Sequence, residues 1–198
     1  MINFVPRTNL KKIKKKIFNE YLNSSSYFEN LRFVYAISKK LGISDSKFLS
    51  KINSFRGLPH RQEIIFNKEN LTIINDSKAT SFEAPKAALE KFSNIFWILG
   101  GLPKKKDKII LGKYKKKIIK AFLIGKNIHY FKKFFNKKVE YEVSNNLPLA
   151  FKNSFKAAKS YSKNATILLS PSAASYDQFK NFVERGNKFK QIIKRYVY

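Results

Sequence analysis

The sequence contains no cysteine and only two histidines, His60 and His129. A disulfide framework and a thiolate metal site are therefore excluded, and little imidazole remains for binding zinc. Glycine occurs only seven times in 198 residues, and none of these glycines begins a phosphate-binding loop of the G-x-x-x-x-G-K-[ST] kind. The sequence thus lacks the signatures of a zinc enzyme and of a P-loop nucleotide site.

Acidic residues are also scarce, with 13 against 41 basic residues and a net charge of +28. Such a charge favours nucleic-acid binding, because lysine and arginine neutralise phosphates. Only six of the basic residues are arginine, however, whereas dedicated binders favour the bidentate contacts that arginine makes. A basic module for nucleic acid or another anionic surface stays open as the alternative, with "KKIKKK" at residues 11–16 as its support, and no specific nucleic acid is predicted.

Long hydrophobic stretches are absent as well. No run of 18 consecutive apolar residues occurs, so the sequence predicts no membrane span. Residues 1–18 interleave charges with apolar residues and lack a hydrophobic segment followed by a small-residue cleavage site, which argues against a secretory signal. We therefore expect a cytoplasmic protein. With 43% hydrophobic residues, the chain can bury the core of one domain and carry a smaller additional segment.

Apolar residues at helical spacing predict three helices before residue 55: over residues 10–22, over Glu29–Lys40 ahead of Gly42, and after a cap at Ser44 or Asp45. From residue 61 onward, apolar stretches of strand length alternate with helical patterns. Two of the later helices are expected over residues 81–92 and from Gln178 onward. This alternation predicts an α/β fold with a Rossmann-like, mostly parallel sheet, helices on both faces, and a short helical segment in front.

Polar segments follow three of the predicted strands: "NDSKAT" at residues 75–80, "GGLPKKKD" at 100–107 and "SPSAAS" at 170–175. Ligands of open α/β sheets bind beyond the carboxyl ends of the strands, so we expect the three segments to meet at one crevice. Each segment alone is more typical of a turn or a helix cap than of a ligand site.

Together, these segments suit an anionic substrate. Lys78 and Lys104 offer ammonium groups. Thr80 and Ser175 offer hydroxyls, which we expect near helix N-termini that attract carboxylate or phosphate.

Two further residues suit a nucleotide. Asp76 can accept hydrogen bonds from ribose hydroxyls, and Arg61 can stabilise phosphate charge. Asp76, like Lys104, is expected at a loop end outside the core. The sequence contains no recognisable Ser-His-Asp arrangement or acid pair, so it predicts a site that binds charge and assigns no catalytic residue.

Four motifs carry a family resemblance. In chain order they are "GLPHRQE" at 57–63, "INDSKAT" at 74–80, "LGG" with Lys104 three residues beyond it, and "LSPSAASYDQFKNFVERGNKF" at 169–189. They resemble the carboxy-terminal part of the Mur ligase family, in particular its D-glutamate-adding branch. The resemblance covers residues 57–190 well, and more faintly the helix with "ENL" at Asn30.

The resemblance implies an ATP-dependent amide ligase that adds D-glutamate to UDP-N-acetylmuramoyl-L-alanine in peptidoglycan synthesis, and so serves cell-wall formation, cell shape and division. The substrate carboxylate would take the γ-phosphoryl group of ATP, the amine of D-glutamate would attack the acyl phosphate, and magnesium would offset the charge. By resemblance, the nucleotide contacts are Asn30, Arg61 and Asp76. The D-glutamate contacts are Lys78, Thr80, Lys104, Ser175 and Phe182. No chemical step is assigned to His60.

The family also has an amino-terminal domain for the UDP substrate and a central domain with a phosphate-binding loop and magnesium ligands, and no residues here match them. The resemblance therefore predicts residues 1–56 as a helical remnant of the central ATP-binding domain and residues 57–198 as the carboxy-terminal domain, inactive alone. A split enzyme with a separate amino-terminal half, a truncated reading frame and a remnant with another use all stay open. Helices that lack their packing partner should leave Phe28, Phe33 and Val34 partly exposed.

Overall fold

The computed structural model describes residues 10, 13–19, 22, 25–104, 111–135 and 138–197, of which 25 and 26 are described by their backbone only. The chain divides into two compact units, Met1–Gly57 and Leu58–Tyr198, named here the helical unit and the sheet unit. Residues 11 and 12 of the "KKIKKK" stretch and Tyr21 of the first expected helix lie outside the described residues. The expectation of a helix over residues 10–22 was wrong for residues 15–19, which form a turn and irregular backbone. The origin of the helical unit in a central domain stays a prediction.

The helical unit contains helix α1, Ser25–Lys40, and helix α2, Asp45–Asn53. Its small core consists of Leu10, Ile13, Leu31, Tyr35 and Phe48. The helix α1 begins four residues earlier than the sequence pattern indicated and ends, as predicted, before Gly42, whose φ of 71° is the left-handed conformation of a helix terminator. Ser44 is the cap of α2, with its side chain accepting a hydrogen bond from the Lys47 amide.

One face of α1 is apolar and exposed. Phe33, Val34, Ile37 and Leu41 are 61%, 50%, 59% and 72% exposed, and Phe28 is half-buried. The expected exposure of Phe28, Phe33 and Val34 is therefore confirmed. The spacing of Phe33, Val34 and Ile37 places them along one side of α1, and Leu41 directly follows the helix with its amide bonded to the Ile37 carbonyl. These four residues form a stripe, named here the α1 stripe.

The sheet unit is built on six strands in the order β1-β2-β6-β3-β4-β5. The edge strand β1 is antiparallel to β2, and the pairs β2–β6, β6–β3, β3–β4 and β4–β5 are all parallel. This mostly parallel sheet confirms the predicted fold class. The strands are β1 (Glu63–Lys68), β2 (Leu71–Asn75), β3 (Ile95–Gly100), β4 (Ile118–Ile124), β5 (Glu140–Asn145) and β6 (Ala165–Leu169).

Helices cover both faces of the sheet. Successive residues of a strand point to opposite faces, so Ile73 packs in one core cluster and Ile74 in the other. The first face is covered by α5 (Leu147–Lys159) and α6 (Phe182–Val197). The second face is covered by α3 (Lys86–Lys91), a 3₁₀ helix (Gly112–Lys117) and α4 (Ile128–Phe135).

Two further expected helix boundaries were wrong. The helix expected over residues 81–92 is limited to α3, because residues 81–85 form turns and Pro85 has no backbone N–H to donate. The last helix begins at Phe182 instead of Gln178, because the amides of Gln178 and Phe179 both bond to the Ser175 carbonyl in a turn. In the described part of the chain, no helix is long and apolar enough to span a membrane.

Candidate functional site

The three polar segments lie at one edge of the sheet, after the neighbouring parallel strands β2, β6 and β3. Ser170 Oγ donates a hydrogen bond of 2.7 Å to Asp76 Oδ2, which joins the loops after β6 and β2. Leu102 and Ala174 form an antiparallel bridge with two backbone hydrogen bonds of 2.8 and 3.0 Å, which joins the loops after β3 and β6. The expectation that these strand ends meet is confirmed.

Gly101 allows the loops after β3 and β6 to approach this closely. Its φ is 132°, and a β-carbon at this position would lie 2.3 Å from the Ala174 carbonyl oxygen. Only glycine fits both the backbone conformation and the space. The second glycine of "LGG" is therefore required by the contact between the two loops.

Asp76 is buried, although it directly follows strand β2. Its side chain is 6% exposed, and Oδ1 accepts a 3.2 Å hydrogen bond from the Gln62 amide while Oδ2 accepts the bond from Ser170. Burial raises the pKa of Asp76 to about 7, and the bonds from Ser170 and Gln62 and the charge of Arg61 offset part of that rise. The expectation of a loop-end position outside the core was wrong for Asp76, because its loop folds back over the sheet edge.

His60 lies beneath the same loop, in a buried cluster with Asn75 and Gly186. The Ser77 amide donates to Asn75 Oδ1 over 3.2 Å, which orients the amide so that Asn75 Nδ2 donates to the Gly186 carbonyl and to His60 Nδ1. Nδ1 is then an acceptor, and the imidazole proton resides on Nε2. Burial, reinforced by the charge of Lys190, lowers the pKa of His60. His60 therefore acts as a neutral packing residue, consistent with its having no assigned chemical step.

Two residues predicted to bind D-glutamate are in contact. Lys78 Nζ lies 3.9 Å from the centre of the Phe182 ring, a cation–π contact between the loop after β2 and the first turn of α6. Ser77 Oγ also donates a 2.8 Å hydrogen bond to the Phe182 carbonyl. The aromatic ring thus holds the Lys78 ammonium group, which remains partly exposed.

The other predicted substrate residues are placed differently from one another. Thr80 is half-buried, Ser175 is buried and Lys104 is exposed. The expectation that both hydroxyls lie near helix starts was wrong, because turns separate Thr80 from α3 and Ser175 from α6. The carbonyl of Ser175 instead accepts bonds from the turn that follows it.

Of the predicted nucleotide residues, Arg61 and Asp76 lie in the sheet unit, whereas Asn30 lies in the helical unit. The Arg61 side chain is exposed, and its amide donates to the Leu58 carbonyl over 3.2 Å. Asn30 is exposed on α1. The residues that the structure describes include no group of three or more His, Asp or Glu that could hold a metal ion.

The structure also reveals contacts that the sequence did not indicate. Arg185 is 1% exposed in the first turns of α6, and its guanidinium donates to Ser77 and to the Ala173 carbonyl. The available signal was "ERG" inside the last motif, where a glycine in a helix indicates close packing against another element. Arg185 and Ser77 therefore join the site residues.

No protein-family model matches the chain, but individual curated proteins do. The UDP-N-acetylmuramoylalanine–D-glutamate ligase of Wolbachia pipientis wMel is 38% identical over an alignment that covers 96% of this chain and 39% of the relative. The ligase of the same name from Mesorhizobium japonicum is 40% identical over 82% of this chain and 35% of the relative. By sequence, the chain belongs to the Mur ligases, as their carboxy-terminal part.

The solved structures agree with the Mur ligase fold. The UDP-N-acetylmuramate–alanine ligase of Thermotoga maritima superposes with a TM-score of 0.58 at 17% identity, covering 85% of this chain and 38% of that structure. This likeness concerns the fold alone. The chain spans about two fifths of the length of the curated Mur ligases that it matches.

Proposed function

We propose that this chain supplies the D-glutamate end of an ATP-dependent amide ligase that extends UDP-N-acetylmuramoyl-L-alanine in peptidoglycan synthesis in the cytoplasm. The observation that carries the proposal is the meeting of the motif loops at one sheet edge. There Lys78 lies against Phe182, and its neighbour Ser77 is linked through Arg185 to Ala173 in the loop that contains Ser175. Its support in sequence is the identity of 38–40% with ligases of that name.

In this proposal the chain binds and orients the amino acid. The ammonium groups of Lys78 and Lys104 and the hydroxyls of Thr80 and Ser175 hold the two carboxylates of D-glutamate, and the amine stays free to attack. Phe182 fixes the direction of Lys78 through the ring contact. The residues of this chain act by positioning, and none of them is given a covalent role.

The residues described here do not by themselves fit ATP or magnesium. Both oxygens of Asp76 already accept hydrogen bonds from the chain, and the described residues offer no metal-ligating group of three. We propose that Asp76 acts on the nucleotide indirectly, by holding the Gln62 amide and so the loop that presents Arg61. Phosphate and metal binding then belong to a polypeptide segment with a phosphate-binding loop, supplied in the same chain or in trans.

The α1 stripe supports such a segment. Four large apolar side chains, three on one face of α1 and Leu41 directly after it, are each at least half exposed and form a surface that proteins in solution normally cover. Asn30, which the family resemblance assigns to the nucleotide, is exposed on the same helix. A segment that packs on the α1 stripe would therefore bring a nucleotide close to Asn30.

The first experiment measures amino-acid binding by the full chain. D-glutamate is titrated into the ¹⁵N-labelled protein, with L-glutamate as the control ligand. Saturable amide shifts that are specific to D-glutamate, at residues 77–80 and 173–182, are expected. Lys78→Ala should weaken D-glutamate binding about ten-fold or more, because a charge-assisted contact is lost. Lys163→Ala, just before the amino-terminal end of β6 and so away from the site, should leave the affinity unchanged.

The second experiment measures ligation. The full chain is mixed with a separately produced amino-terminal part of the Wolbachia relative, ATP, magnesium and UDP-N-acetylmuramoyl-L-alanine. Release of phosphate that requires both this chain and D-glutamate is expected. A mixture with no D-glutamate dependence, together with no D-glutamate binding in the first experiment, contradicts the proposed function.

A further inference from the structure

Arg185 is an unusual buried cation. It lies in α6 with 1% of its surface exposed, and burial lowers its pKa to about 10. Its acceptors are all neutral: the Ser77 hydroxyl, the Ser77 carbonyl and the Ala173 carbonyl. Within the described residues, no carboxylate forms an ion pair with it, and Asp177 acts on it only through its more distant charge. Burying a guanidinium without a paired anion is costly, so its position calls for an explanation.

The three hydrogen bonds join two loops of the candidate site. Arg185 Nε donates to Ser77 Oγ over 3.0 Å, and Nη2 donates to the carbonyls of Ser77 and Ala173 over 2.9 and 3.1 Å. Ser77 precedes Lys78 in the loop after β2. Ala173 lies two residues before Ser175 in the loop after β6. The Arg185 guanidinium therefore fixes the distance between the loop after β2 and the loop after β6.

Ser77 connects Arg185 to the first turn of α6. Its hydroxyl accepts from Arg185 and donates to the Phe182 carbonyl over 2.8 Å, so its single hydrogen has a fixed direction. The first turn of α6 is thus tied twice to the loop after β2. Lys78, the next residue, rests on the ring of Phe182 in the same turn. The guanidinium thus links Ser77, the residue before Lys78, with Ala173, in the loop that contains Ser175, and the family resemblance assigns Lys78 and Ser175 to one substrate.

We infer that Arg185 is a positioning residue that sets the spacing between the Lys78 and Ser175 sides of the site, and hence the length of the dicarboxylic amino acid that the site accepts. The inference rests on the proposed function. A guanidinium suits this task because its planar fork bonds to acceptors in diverging, fixed directions, whereas a lysine ammonium is a single point on a flexible stem. Arg185→Lys therefore keeps the charge and removes the spacing device.

The first test uses the full chain without ligand. The amides of Lys78 and Ala174 donate to the carbonyls of His60 and Leu102, so their hydrogen exchange reports on the two loops. Arg185→Lys and Arg185→Met should each raise exchange at both amides at least ten-fold, with exchange at Phe122 and Leu123 of β4 unchanged. The matched control is Arg195→Met near the exposed end of the same helix. Unchanged exchange at Lys78 and Ala174 in both Arg185 variants overturns the inference.

The second test measures selectivity in the reconstituted ligase, with D-aspartate and D-2-aminoadipate as substrates one methylene shorter and longer than D-glutamate. Arg185→Lys should raise the KM for D-glutamate at least ten-fold and reduce the preference for D-glutamate over both analogues, with the KM for the UDP-linked substrate unchanged. If Arg185 only stabilised the fold, its substitution would lower the ligation rates with D-glutamate, D-aspartate and D-2-aminoadipate in the same proportion. If the wild type prefers D-glutamate and Arg185→Lys keeps the same preference, this inference is overturned while the proposed function stands. A wild type that does not use D-glutamate contradicts the proposed function and the substrate part of this inference, while the exchange test still decides the link between the loops.

Discussion

At the residue scale, Gly186 shows how closely the last helix approaches the loop that contains His60. A β-carbon on Gly186 would lie 2.2 Å from His60 Nδ1, and the Gly186 carbonyl accepts a bond from Asn75. Glycine is normally unfavourable inside a helix. Here it lets α6 pack directly on the imidazole, which places Arg185 at the level of Ser77.

Gly186→Ala should therefore destabilise the fold by about 1–3 kcal/mol, because the overlap with His60 outweighs the gain of about 1 kcal/mol in helix propensity. Urea denaturation followed by circular dichroism measures the effect. Asn187→Ala, at the exposed neighbouring position, is the matched control and should be neutral or slightly stabilising. A Gly186→Ala protein as stable as the wild type would show that the helix can shift away from His60 without cost.

Asp76 makes the stability depend on pH. Its pKa of about 7 in the folded protein lies above its ordinary value of 3.8, so the folded chain keeps a proton that the unfolded chain has released. The unfolding free energy should therefore fall as the pH rises from about 4 to 7, and the full penalty, on the order of 4 kcal/mol, is present above pH 7. Asp76→Asn should remove this dependence.

The measurement compares urea unfolding at pH 5 and pH 8.5 for the wild type and Asp76→Asn. His60 titrates in both proteins, so its contribution, which favours the fold at higher pH because its pKa is lowered, cancels in the difference. The wild type should lose more stability than the variant between the two pH values. Equal losses would mean that the carboxyl group is already ionised at pH 5.

At the scale of elements, the ends of the helices depend on single polar side chains. Asn146 caps α5 by accepting a 3.0 Å hydrogen bond from the Leu149 amide, and Asn181 Oδ1 accepts one of 2.9 Å from the Glu184 amide at the start of α6. Both bonds satisfy amides that have no partner within the helix. At α5 the cap coincides with the start of the apolar pattern, whereas α6 begins after Asn181, later than the pattern indicated.

Asn146→Ala should cost about 1 kcal/mol of stability, since the cap is lost while the exposed site buries no other contact. Asn146→Asp retains the acceptor and serves as the control. Thermal denaturation of the three proteins compares them. A loss of stability in Asn146→Asp equal to that in Asn146→Ala would argue against the hydrogen bond as the cause.

Most of the strands were predictable because they are short apolar runs of the right length, whereas β5 (Glu140–Asn145) alternates apolar and charged residues. Ile95–Gly100 is buried throughout, as expected for a strand covered on both faces. The order of the strands was not predictable from these runs, because β6 lies between β2 and β3 through contacts between distant parts of the chain. The helix starts were missed at α1, α3 and α6, and at α3 and α6 the preceding turns decide the boundary and apolar periodicity does not.

The candidate site, like the fold, was predictable only in part. The loops could be located because the carboxyl ends of parallel strands share one edge. The burial of Asp76 and the contacts of Arg185 could not, because both depend on side chains from elements far apart in sequence. The sequence identifies the site loops, and the packing beneath them only becomes visible in three dimensions.

At the scale of the whole molecule, the charge of +28 is the dominant property. Like charges at this density repel one another, and the folded chain concentrates them more than the unfolded chain does. Lysines are spread over both units, on the 3₁₀ helix as well as on α1, α5 and α6. Affinity for nucleic acid that arises from this charge alone should be indifferent to sequence and should fall steeply with salt.

Raising sodium chloride from about 20 to 300 mM should therefore raise the melting temperature by several degrees, because the Debye length falls well below the size of the molecule. Differential scanning calorimetry measures the change, and choline chloride at equal ionic strength tests whether it depends on the cation. A melting temperature that falls with salt would instead show that surface ion pairs outweigh the general repulsion.

The position of β6 has a consequence for how the protein is made. Strands β2 and β3 are not paired with each other, and both wait for β6, which is synthesised some 65 residues after β3. The Ser77–Arg185 bond then spans 108 residues of chain, among the longest loops to be closed in the molecule. On the ribosome, the two halves of the sheet exist for a time as separate, open-edged pieces, and a central strand must enter between them. The loops of the candidate site acquire their shape only after β6 and α6 have emerged. Slow synthesis of residues 165–197 would therefore leave unpaired strand edges that can associate with other chains.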